Sequence, residues 1–174
     1  MTRRLFVFGI LALALTAMDG ALVGAFGLYG SGLLFALGIL FLAAFRAGDI
    51  EGAALAALIG YGWDVFAGTP TGLSVAPAVG VFIALRMLSQ GVDCSGVAQL
   101  AVLGFLAALA HGLLCVALMK ISGSAGELAF WPSAKLLLRQ SVFAALLVPP
   151  VFKLAGWIDR LLVEDKSESE VWLS

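Results

Sequence analysis

The sequence predicts an all-α fold, a polytopic membrane protein built as one six-transmembrane-helix bundle, and three observations predict it. Of 174 residues, 62% are hydrophobic and only 12% charged, with a mean hydropathy of +1.09; soluble domains are about a quarter charged. Apolar runs of helix length recur between short polar or Gly/Pro-rich breaks. Four ionisable residues, Asp19, Asp64, His111 and Arg139, interrupt those runs. That much apolar surface calls for lipid.

The runs place six helices at residues 5–28, 31–45, 52–67, 73–88, 97–121 and 134–157. The first follows Met-Thr-Arg-Arg, which begins like a secretion signal. The run continues to Leu28, beyond the ~7–15 residues of a signal core, and more spans follow, so it is read as a retained transmembrane helix. The second and third are short for a hydrocarbon layer of ~30 Å at ~1.5 Å per residue. Arg46, Asp49 and Glu51 between them favour a loop over one merged helix. Pro77 falls in the first turns of the fourth helix, where its missing N–H costs little. Pro149-Pro150 falls inside the sixth, where two lost donors predict a kink. Residues 1–163 then form a single integral membrane domain, and 164–174 a polar cytoplasmic tail expected to fray.

Basic residues in alternate loops set the orientation. With the N-terminus inside, Arg3, Arg4, Arg46, Arg86, Lys153, Arg160 and Lys166 lie on the cytoplasmic side, and Lys120, Lys135 and Arg139 outside. Both termini are therefore expected in the cytoplasm. A net charge of −1 gives no reason to expect nucleic-acid binding. Cys94 and Cys115 have no metal-ligand or disulfide-framework spacing. No Ser-His-Asp or Cys-His arrangement and no phosphate-binding glycine loop is present, so neither an enzyme nor a cofactor is expected.

Lipid offers no hydrophobic drive between helices, so small residues mark close contacts. Ala17, Ala21 and Ala25 recur at spacing four on the first helix, beside Gly20 and Gly24. Ala56 and Gly60 align with Asp64 and Gly68, and Gly104 with Ala108. Such a stripe serves packing within the bundle or receives a partner's helix, and the first helix is the candidate docking stripe.

Asp19, Asp64, His111 and Arg139 all fall about 3–10 Å to the outer side of their helix midpoints. An ionisable group at such depth is held by protein partners. The four are a candidate polar cluster, with Arg139 the obvious partner for Asp64 or Asp19. Each also has a plainer reading. Asp64 can accept amide hydrogens from the Gly68–Gly72 turn, His111 can bond a neighbouring helix, and Arg139 can snorkel to the headgroups. Trp63 and Trp131 serve equally as interfacial anchors or as pocket walls.

The segment Gly60-Tyr-Gly-Trp-Asp64-Val-Phe-Ala-Gly68-Thr-Pro70-Thr-Gly72-Leu carries an acid at the end of an apolar helix and then a Gly-x-Pro-x-Gly reversal. It resembles the MreD family of bacterial rod-shape-determining proteins, which are also small, have about six spans, and carry a late aromatic pair like Phe130-Trp131. The family tends to have leucines where this chain has Gly-Tyr-Gly-Trp. The resemblance implies a non-enzymatic inner-membrane subunit of the cell-elongation machinery. Its implied partners are MreC, and with it MreB and the RodA–penicillin-binding-protein synthase of lateral peptidoglycan. Asp64, Gly68, Pro70 and Gly72 are the positions carried over, shaping the rim that receives MreC. The same architecture is similar to the substrate-binding S components of energy-coupling-factor vitamin transporters. There the alanine stripe would dock the coupling subunit and the polar cluster would line a ligand pocket.

Overall fold

A computed structural model describes residues 2–25, 34–67, 72–91, 96–122 and 130–171, and its side-chain description leaves out the ends of α1, the last residue of α3, and both ends of α6. All regular structure among them is helical: α1 (Thr2–Ala25), α2 (Leu37–Arg46), α3 (Asp49–Ala67), α4 (Val75–Ser89), α5 (Val97–Ile121) and α6 (Phe130–Val171).

The ten residues of α2 form the centre. Leu37 through Ala44 are all buried, because α3, α4, α5 and α6 close around them. A helix apolar on every side has no solvent face to present, which is what a fully enclosed position requires. Phe45 on α2 bridges Phe41 (centroids 6.4 Å apart) and Phe152 of α6 (6.2 Å). α1 stands outside this ring and packs on α3.

Small residues let the helices meet closely. A Cβ on Gly62 would sit 2.9 Å from Thr16 Oγ1, and one on Gly20 would sit 3.3 Å from Phe66 Cβ, so α1 lies tight on α3. Gly60 lets the start of α4 touch the α3 backbone: a Cβ there would fall 2.6 Å from Val75 Cα. Gly104 and Gly112 do the same for α5 against Val148 and Leu137 of α6.

Two helices, Val97–Ile121 and the stretch Ala134–Arg160 of α6, are long and apolar enough to cross a membrane. Only 28% and 33% of their apolar windows are buried, unlike a core helix of a soluble domain. Val102, Leu106, Leu113, Val142 and Leu146 face outward from the bundle. Exposed apolar surface on that scale belongs against lipid or protein, and it points to membrane association. The apolar stretches Phe6–Leu22, Leu37–Arg46 and Val75–Ser89 are shorter.

The helix expected at 97–121 has those bounds. Other limits differ for physical reasons. α2 begins at Leu37, six residues later than expected, because residues 34–36 form a turn. α3 begins at Asp49, whose carboxylate and that of Glu51 suit the positive end of the helix. α6 passes through Pro149-Pro150 and continues to Val171, so the expected frayed tail is helical for most of its length.

Candidate functional site

Alternating helices bring charged residues together at two levels of the bundle. At the level where α1 and α3 end, Asp64 is fully buried, and both carboxylate oxygens accept backbone amides from the start of the next helix. Gly72 N donates to Oδ2 at 2.7 Å, and Ser74 N to Oδ1 at 2.9 Å. Gly72 sits at φ +97°, a conformation that glycine adopts without strain. Asp64 thus ties the end of α3 to the start of α4. Gly68 and Pro70 lie outside the described residues.

Asp19, 4% exposed, accepts Phe35 N at 3.0 Å through Oδ2. The bond fixes the turn that opens α2, where Leu34 adopts φ +56° and is itself buried. A non-glycine residue there costs about 1–2 kcal/mol, and the Asp19 anchor helps hold it. Trp63 lays its indole against the Asp19 carboxylate. Trp63 Nε1 and Asp19 Oδ1 nevertheless lack hydrogen-bond geometry with any described group. On its other side Trp63 meets His111 edge-on, ring centroids 4.8 Å apart. His111, also 4% exposed, feels the charge of Asp64 and has the Cys115 sulfur 3.9 Å from its ring nitrogens. Ser74 lies beside Cys115.

Asp19, Trp63, Asp64 and His111 therefore share one buried layer spanning α1, α3 and α5. Arg139 stands exposed on α6, and among the described residues no ion pair joins it to Asp19 or Asp64. Trp63 is 8% exposed, so it is a wall of the layer and not a headgroup anchor. Of the α1 stripe, Ala17 is half-buried and Ala21 exposed; the Ala25 side chain lies outside the described residues.

The second level sits at the opposite end. Arg86 Nε donates to Asp49 Oδ1 at 2.9 Å and its Nη1 to Ala44 O at 2.9 Å, covering a carbonyl at the C-terminus of α2. Ser89 Oγ reaches the same carbonyl at 3.3 Å. Arg46 faces Asp159 of α6 at 3.6 Å, and Asp159 is 5% exposed. Asp49–Arg86 and Arg46–Asp159 were not foreseeable as pairs, since their partners lie far apart in the chain. Trp63 carried a weak signal, standing next to Asp64.

The upper layer is built for holding backbone. Its acids accept main-chain amides, its aromatic side chains fill the space between helices, and its groups lie away from the surface. Among the described residues no group of three His, Cys, Asp or Glu side chains could hold a metal ion. A cavity of about 20 Å³, room for roughly one water, lies toward the other end between Phe8, Ile39, Leu42 and Glu51. No family model matches the chain, and no characterised protein and no solved structure matches it either.

Proposed function

We propose that the chain is a six-span bundle of the bacterial inner membrane, with both termini in the cytoplasm, that works as a non-enzymatic scaffold of the cell-elongation machinery. Its partner is MreC, and through MreC it serves the MreB filament and the RodA–penicillin-binding-protein synthase. The observation that carries this reading is the use of Asp64. Both of its oxygens accept amides of the reversal that leads into α4, so the acid of the family-like motif shapes a rim and performs no chemistry. A fixed junction between helices suits a partner-binding subunit, because preformed surfaces lose less entropy on association.

Depletion of the chain in its host tests the reading. Cells are expected to lose rod shape and round up, with no rescue by added vitamins. Retention of rod shape together with a new vitamin requirement would support the transporter reading instead. One observation favours that second reading, a substrate-binding S component of an energy-coupling-factor transporter: Ala21 lies exposed on α1, where a coupling subunit would dock. The buried layer counts against it, since its acids are engaged with backbone.

A further inference from the structure

Two buried acids hold the two ends of α2. At its start, Asp19 of α1 accepts Phe35 N at 3.0 Å. At its finish, Arg46 meets Asp159 of α6 at 3.6 Å. Between these anchors Leu37–Ala44 is buried without interruption, about 16 Å from Phe35 to Arg46 at ~1.5 Å per residue. A short helix so enclosed has no room to bend or fray by itself; close-packed interiors pass displacement on to neighbours. Asp19 is in turn backed by Trp63, and Trp63 by His111. At the other end α6 runs helically beyond Asp159 to Val171.

We infer that α2 is a rigid coupling rod: a displacement of α6 at Asp159 moves α2 as one body and is felt at the Asp19–Trp63–His111 layer at the opposite end of the bundle. The charged groups facing the rod's ends are Asp19 at one, and Asp159, Asp49 and Arg86 at the other. Leu34 stores local strain where the rod begins, so a small shift there changes how the turn is held. The coupling stands whichever partner the molecule binds. It gives a membrane-embedded scaffold a physical route for reporting the state of one face at the other.

The experiment uses the full chain in lipid nanodiscs with 5-fluorotryptophan, Trp131 and Trp172 replaced by Phe, so that Trp63 and Trp157 remain as fluorine reporters. Trp157 lies two residues from Asp159 and reports the clasp locally; Trp63 reports the distant layer. Asp159→Asn is expected to move both resonances by more than their linewidths, and Asp159→Glu to return Trp63 toward its original position. Reciprocity requires Asp19→Asn to move Trp157. Movement of Trp157 alone on Asp159→Asn would overturn the rod, as would movement of neither reporter, or a Trp157 signal indifferent to Asp19→Asn. If circular dichroism shows that Asp159→Asn does not fold, Arg46→Lys, which keeps the charge and shortens the reach, reads the same two resonances with the same meaning.

Discussion

Asp64 and the glycines around it show what a single side chain contributes to this bundle. Removing the carboxylate leaves Ser74 N without its acceptor in a buried setting, whereas Gly72, which loses its bond too, is exposed. The orphaned buried group costs about 1–3 kcal/mol, so Asp64→Ala is expected to destabilise by about 1–3 kcal/mol in a denaturant titration of the protein in micelles. Asp64→Asn, which keeps one acceptor, should lose less than half of that. An equal loss for both would show that charge, and not acceptor geometry, holds the turn. Glycines sort in the same way. Gly60→Ala drives a Cβ into the Ser74–Val75 backbone, 2.6–2.7 Å away, and overpacking of that kind costs about 1–3 kcal/mol. Gly72→Ala meets open space but must adopt φ +97°, at about 1–2 kcal/mol. Gly48→Ala has nothing within 4 Å and should fall within about 0.5 kcal/mol of the parent.

At the scale of elements, α2 is held more by its ends than by its length. A ten-residue helix is marginal alone; here Arg86 and Ser89 cover a carbonyl in its last turn. Asp49 is 80% exposed in its pair with Arg86, and an exposed ion pair contributes little. Asp49→Asn is therefore expected to change stability by less than about 0.5 kcal/mol, whereas Arg86→Gln, which also uncovers Ala44 O, should cost about 1–2 kcal/mol. Thermal unfolding of the two variants side by side checks this, and equal losses would contradict it. The same contrast explains what the sequence could disclose. Asp64 and its turn lie eight to ten residues apart, so a local reading of acid, glycine and proline suffices to suggest that they bond. α5 was legible at both ends because its apolar run begins and stops abruptly. α2 was not, because its first turn is set by Asp19, sixteen residues earlier. Nor was the Arg46–Asp159 clasp, whose partners are joined only by the packing of α2 on α6. The shared layer of Asp19, Trp63 and His111 depends on three helices meeting, and counting along one helix at a time does not show which side chains meet or that Arg139 is exposed.

At the scale of the molecule, the helices alternate, so the Arg46–Asp49 connection and the end of α5 lie at opposite ends of the bundle. In the proposed six-span arrangement these ends face different compartments. In a background lacking Cys94 and Cys115, Ser122→Cys is expected to react with an impermeant maleimide on intact cells. Gly48→Cys should react only after the inner membrane is opened. Labelling of both from the same side would contradict the six-span topology. The outer surface adds a second constraint. Phe6, Ile10 and Met18 of α1 and Leu146 and Leu154 of α6 are exposed, so lipid or partner helices must cover them. Among the described residues α1 packs mainly on α3, and its exposed side chains are open to a partner.

The proposal that this bundle is a scaffold for MreC is tested most directly by tagging the chain and purifying it from native membranes in mild detergent, with mass spectrometry of proteins and small molecules together. MreC is expected in stoichiometric yield with no bound ligand, and Asp64→Ala is expected to lower that yield. Recovery of a coupling subunit with its ATPases, or of a tightly held vitamin-like molecule, would contradict the account.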